Sequence, residues 1–124
     1  QLPIMVQDVK PGDVVLSYNE KNGSVEPVRV ANTFVHEAYS YLVINNKLKV
    51  TPHHPIHING KWQEIGNANI GDKIRTVAGE EIITSIKEVH DRVTVYNLEV
   101  EKNHNYYAEK YLVHNKHGGR HGPR

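Results

Sequence analysis

Apolar and polar residues alternate along most of this chain, and nowhere do they hold a helical period over three turns. Pro11-Gly12 is a turn signal, and the β-branched run that follows predicts a strand over Val14–Tyr18. Asn22-Gly23 is a strong hairpin signal, with a returning strand over Val28–His36. Strands are expected over Tyr39–Asn45 and Leu48–Thr51, joined by a turn at Asn45-Asn46-Lys47. Thr51-Pro-His-His-Pro55 reads as a loop, because each proline removes an amide donor and pushes the residue before it out of the α region. Ile56–Ile58, Asn59-Gly60 and Lys61–Ile65 predict a hairpin with a two-residue turn. Further strands are expected over Lys73–Val77, Ile82–Val89, Val93–Val100, Asn105–Ala108 and Tyr111–His114, with a turn at Ala78-Gly79-Glu80. Short strands separated by frequent turn signals predict an all-β, sandwich-like or barrel-like fold.

The pattern also recurs within the chain. Asp8-Val-Lys-Pro-Gly-Asp13 is echoed by Asn67-Ala-Asn-Ile-Gly-Asp72, and Phe34-Val-His-Glu37 by Glu88-Val-His-Asp91. Tyr41–Ile44 and the histidine loop after it are echoed by Val95–Leu98 and His104. Two similar halves predict a pseudo-twofold β-domain rather than a solenoid, which needs more repeats.

Length and charge narrow the functional classes. The chain has 124 residues, enough for one domain, and a net charge of +1, which exerts no general pull on nucleic acid or anionic lipid. No apolar run is long enough to span a bilayer, and no signal-peptide pattern opens the chain. Gln1-Leu-Pro-Ile reads as the middle of something larger. Without cysteine there are no disulfides and no thiol nucleophile; the compartment is unconstrained and compatible with the cytoplasm.

The candidate chemistry centres on His114 and Asn115, delivered by the last apolar strand ahead of Lys116 and a Gly/His/Arg tail. An asparagine amide nitrogen can attack its own backbone carbonyl, close a succinimide and break the bond to the next residue. Orientation and acid–base help from histidines would speed that slow reaction, whereas the structural alternative is an Asn that merely starts a turn. His104 and His114 lie on consecutive segments able to pair antiparallel, so both could approach Asn115. Thr51 and His54 share a loop in which the histidine could bond a scissile peptide and the threonine orient it; the alternative is an exposed turn histidine. Asn97 is otherwise a strand-end asparagine, and Tyr106, Tyr107 and Tyr111 read as core or edge aromatics. Nine histidines, with His53, His54 and His57 close together and His117 and His121 in the tail, leave a zinc- or partner-binding β module as the rival reading.

Taken in order, Lys10-Pro-Gly-Asp-Val-Val-Leu-Ser17, Thr51-Pro-His-His-Pro55, Ile70-Gly-Asp72, Val95-Tyr-Asn-Leu-Glu-Val100, His104-Asn-Tyr-Tyr107 and Leu112-Val-His-Asn115 resemble a Hint domain. This fold is shared by inteins, hedgehog autoprocessing domains and bacterial intein-like domains, and the pretoxin kind is the most similar in flavour. The resemblance implies a Hint domain over residues 1–115, a flanking tail over residues 116–124, and autocatalytic, single-turnover cleavage without a cofactor. It also implies roles for the candidates. His54, supported by Thr51, would destabilise an N-terminal scissile peptide. His104 would be the acid–base of the C-terminal step. His114 would stabilise the oxyanion at the Asn115 carbonyl or protonate the leaving amine, and Asn115 would cyclise. Asn97 stands where many inteins carry an aspartate that links the two cleavage steps, and an amide cannot ionise.

Two departures follow. The family's first strand, with its Cys or Ser nucleophile, precedes the equivalent of Gln1 and is missing here. Lys116 stands where splicing inteins carry Cys, Ser or Thr, so cleavage after Asn115 is expected rather than splicing. The expected partners are an N-terminal Hint fragment, as in a split intein, or flanking host polypeptide, with the chain itself a monomer that engages neither nucleic acid nor membrane. A fold short of one strand is expected to hold its site loosely; a scaffold without activity is the remaining alternative.

Overall fold

The computed structural model describes residues 6–115; more than half of these lie in twelve short or medium strands, and the described residues include two three-residue 3-10 turns but no α-helix. β1 (Val14–Asn19) pairs antiparallel with the long β2 (Ser24–Ala38), and the second half of β2 pairs with β10 (Val93–Val100). β3 (Tyr41–Ile44) lies between β4 (Leu48–Val50) and β9 (Ile86–Val89). The third sheet is ordered β11 (Asn105–Ala108), β12 (Tyr111–His114), β5 (Pro55–Ile58), β7 (Lys73–Thr76), β8 (Gly79–Ile82), with β6 (Lys61–Glu64) also paired to β5. Inward-facing residues from all three sheets share one core, in which Ile44, Ile56, Ile74, Leu98, Tyr106 and Tyr111 are almost wholly removed from water.

The duplication predicted from sequence is visible bond for bond. Asp13 closes a turn by accepting the Lys10 N–H on its carboxylate at 2.9 Å while its own N–H donates to the Lys10 carbonyl at 3.0 Å. Asp72 repeats both bonds to Asn69, at 2.8 and 3.0 Å. Gly12 and Gly71 then donate to the carbonyls of Val30 and Ile83, and each of those residues donates back to the aspartate carbonyl. Both glycines sit at positive φ, +94° and +100°, which an L side chain rarely adopts and which explains the Gly-Asp pair in each half. The halves also exchange strands. The Phe34 segment of the first pairs with the Val95–Leu98 segment of the second, while the Glu88 segment of the second pairs with Tyr41–Ile44 of the first. Neither half can bury its apolar face alone, so the domain is one cooperative unit.

Three local expectations shift. The strand returning from the Asn22-Gly23 hairpin, expected over Val28–His36, already starts at Ser24, because Asn19 pairs with Ser24 and its side chain accepts the Lys21 and Asn22 amides, closing a four-residue loop. The turn expected at Ala78-Gly79-Glu80 is Val77-Ala78, since Thr76 pairs with Gly79. The single strand expected over Ile82–Val89 is broken at Ile83–Ser85, where Ile83 turns into the core and Asn45 Oδ1 accepts the amides of Thr84 and Ser85 at 2.7 and 3.2 Å. The chain thereby leaves β7 and restarts as β9 against β3.

Candidate active site

β11 and β12 form a tight hairpin turned by Glu109 and Lys110, both at positive φ. Its register sets Asn105 opposite His114, which brings the residues just outside the pair, His104 and Asn115, face to face. The Asn115 N–H donates to the His104 carbonyl at 2.8 Å. Asn115 itself is buried, 3% exposed, while His104 remains exposed and His114 half-buried.

Every polar atom of the Asn115 side chain is engaged. Oδ1 accepts the Val100 N–H at 3.1 Å; Nδ2 donates to the Val100 carbonyl at 3.1 Å and faces His104 Nδ1 at 3.3 Å. An amide NH2 is only a donor, so that contact requires His104 Nδ1 to be the bare, accepting nitrogen. Asn115 is therefore tied through both its side-chain amide atoms. Its anchor is the free edge of β10, the outer strand of its sheet, where the Leu98 and Val100 amides point away from β2. Tyr106 Oη accepts the first of these and Asn115 the second. Burial pushes the Tyr106 hydroxyl up to about 12, so it stays a neutral acceptor and donor.

His114 Nδ1 lies 3.3 Å from the Asn115 carbonyl oxygen, and since a carbonyl only accepts, the imidazole donates there. Its ring is held edge-on by Trp62, centroids 4.9 Å apart at 89°, and Trp62 meets His57 the same way at 5.1 Å and 87°. Trp62 reaches this place because the Asn59-Gly60 turn, both residues at positive φ, sets it opposite His57. Burial, reinforced by the nearby Arg75 guanidinium, holds His57 below the ordinary histidine value.

His54 is buried and its Nε2 donates to the His114 carbonyl oxygen at 3.1 Å. The loop that carries it is closed by the His54 N–H bond to the Thr51 carbonyl, so Thr51 orients His54 through its backbone. The structure thus brings Asn115, His114, His104 and His54 together. The N-terminal scissile peptide imagined for His54 lies outside the described residues. Thr51 and Asn97 instead line a groove of about 350 Å³ beside them, which Val6, Gln7 and Tyr106 also border.

The clustered histidines of the rival zinc reading diverge. His53 is exposed against Glu64, His54 bonds the His114 carbonyl and His57 meets Trp62 edge-on. Among the described residues no three His, Cys, Asp or Glu side chains converge as a metal site; His117 and His121 lie outside them. Two contributors escaped sequence reasoning. Val100 acts through its main chain and so leaves no residue signal, whereas Trp62 could have been placed opposite His57 from the two-residue turn.

A family model described as the pretoxin HINT domain matches residues 4–117. The chain is similar to the bacterial intein-like domain from Clostridium thermocellum, with a TM-score of 0.80 and 28% identity over 89% of this chain and 86% of that one. It is also similar to a DnaB intein from Synechocystis sp. PCC 6803, at TM-score 0.72 and 17% identity over 91% of this chain and 86% of the intein. The gp41-1 intein gives a TM-score of 0.69 and 24% identity over 89% and 85%. At such identities these two inteins speak to the fold. No curated protein matches the chain.

Proposed function

The chain belongs to the pretoxin HINT domain family, whose intein-like fold supports autocatalytic protein splicing or cleavage, and from that premise we propose that it cleaves the peptide bond after Asn115 by cyclising this residue to a succinimide. The observation that carries the reading is the contact of Asn115 Nδ2 with the bare Nδ1 of His104.

The reaction divides among the residues as follows. His104 Nδ1 takes a proton from Asn115 Nδ2 as that nitrogen attacks the Asn115 carbonyl carbon. His114 donates its Nδ1–H to the carbonyl oxygen as negative charge builds there. The C–N bond to Lys116 then breaks, and the nitrogen of Lys116 leaves as an amine with the proton first taken by His104. Its exposure lets His104 exchange protons with water between steps. His54 and Thr51 fix the His114–Asn115 peptide from its other side. Products are a domain ending in a succinimide at residue 115 and a released tail over residues 116–124, which would set the domain boundary at Asn115. Lys116 offers no hydroxyl or thiol to carry a branched ester, so cleavage is favoured over splicing.

A groove lined by Thr51, His54 and Asn97 lies beside the site. An upstream stretch of the host polypeptide, or a separate N-terminal fragment, would occupy it and bring an N-terminal junction to His54. Intact mass followed over time near neutral pH tests the reading, with and without an added N-terminal strand peptide. A species ending at residue 115 is expected from the parent and not from Asn115→Ala. A chain that stays whole under both conditions would make this an inactive HINT scaffold.

A further inference from the structure

We infer that the main chain of Val100 is a catalytic group in its own right, stabilising the anionic form of the Asn115 amide; the inference rests on the cleavage reading above. When His104 takes one Nδ2 proton, the electron pair left behind spreads over Nδ2 and Oδ1, and Oδ1 carries much of the charge. The Val100 N–H already points at that oxygen from 3.1 Å, within a buried pocket where a fixed donor is worth far more than in water. This bond strengthens as charge moves onto Oδ1, so it favours the activated state over the resting amide.

The Val100 carbonyl completes the device. It accepts one Nδ2 proton at 3.1 Å, which leaves only the other proton directed at His104. After transfer the retained proton still ties the nitrogen to Val100, so the amide plane stays fixed while the nucleophilic pair develops. Both Val100 groups are available because β10 is an edge strand and the Val100 N–H and carbonyl point away from β2. The register of β10 against β2 slips by one residue between Glu99 and Val100, where Ala31 of β2 is the extra residue, directly behind the point at which β10 meets Asn115. Bulges bend a strand locally and recur beside active sites. The atoms balance without any further reactant: one proton moves from Nδ2 to His104, one C–N bond forms, one breaks, and the proton ends on the departing amine.

The test replaces Val100 in the full chain by its α-hydroxy acid, which turns one amide into an ester and deletes a single N–H while keeping the isopropyl group. The same replacement at Leu98 is the control, because its N–H serves Tyr106 Oη and no reacting atom. Cleavage is expected to slow roughly a hundredfold with the ester at position 100, the range seen when one oxyanion donor is lost, and to change less than about threefold at position 98. Equal rates for the two folded esters overturn this inference and leave the cleavage reading standing. Absence of any cleavage in the parent overturns both.

Discussion

His104 meets Asn115 twice, accepting its backbone N–H on the carbonyl at 2.8 Å and facing its side-chain nitrogen with Nδ1 at 3.3 Å. One residue can do both only because its backbone is in the left-handed region, at φ +58°. That conformation is uncommon for a non-glycine residue, although His, Asn and Asp tolerate it better than most, and such strain gathers at working sites. Position and chemistry at His104 are therefore separable by substitution.

His104→Asn keeps a side chain that tolerates positive φ and can still hydrogen-bond, yet removes the base. Cleavage after Asn115 is expected to slow by about 10²–10⁴-fold, the usual weight of a general base, while folding stability changes by no more than about 1 kcal/mol. His104→Ala keeps neither property and is expected to lose stability as well. Intact-mass time courses and thermal melts on both variants check the separation.

Trp62 touches no reacting atom, but its edge-on packing fixes the ring of His114. Aromatic pairs of this kind are worth about 0.5–1.5 kcal/mol beyond their buried area. Trp62→Ala is accordingly expected to slow cleavage by up to about tenfold, while Trp62→Phe retains most of the rate. The time course should separate the two, and equal rates would show that His114 needs no such wall.

Glu81 ties the hairpin that carries the site to the rest of the sheet. Its carboxylate accepts from the Tyr111 hydroxyl at 2.6 Å and from Asn45 Nδ2 at 2.8 Å, and pairs with Lys110 Nζ at 2.8 Å. The Lys110 and Tyr111 hydrogen bonds hold it well below the usual carboxylate range, at about 2. A carboxyl depressed in the folded state contributes stability that is complete above its unfolded value and is lost as pH falls through the folded one. Glu81→Gln is thus expected to cost about 2 kcal/mol near neutrality, and its difference from the parent should shrink between roughly pH 4.5 and 2. Denaturant melts across that range measure it; a constant gap would assign the loss to packing.

Much of this was legible beforehand, for physical reasons that differ by element. The clean β-rich run located Val93–Val100 to the residue, and tight turns with residues at positive φ revealed themselves through Asn45-Asn46-Lys47 and Asn59-Gly60. The approach of His104 and His114 to Asn115 followed from pairing two short consecutive strands. What stayed hidden depends on contacts that residue type does not encode. The break at Ile83–Ser85 is imposed by Asn45, some forty residues upstream, and the anchor of Asn115 is main chain at Val100. His54 belongs to the same group. Its histidine was visible in the loop, but its seat on the His114 carbonyl depends on how β5 pairs with β12.

Asn105 secures the β11–β12 hairpin to β1 by imitating a strand. Its fully buried side chain accepts the Tyr18 N–H at 2.8 Å, donates to the Tyr18 carbonyl at 3.0 Å and accepts from Ser17 Oγ at 2.8 Å. Asn115 treats Val100 in the same manner, so both strands of the hairpin are fastened at its open end by asparagines standing in for backbone. Asn105→Leu keeps the branched heavy-atom skeleton, though with bulkier methyl groups, but leaves the Tyr18 amide and carbonyl without their side-chain partner in the interior, each at about 1–3 kcal/mol. A loss of roughly 3 kcal/mol or more is expected in urea denaturation, with cleavage slowed in the fraction that remains folded. Asn105→Asp restores the acceptor and not the donor. Its carboxylate would face the Tyr18 carbonyl, so its stability is expected to fall further as pH rises and the acid ionises. An Asp variant as stable as the parent at neutral pH would mean that solvent, rather than Asn105, satisfies β1.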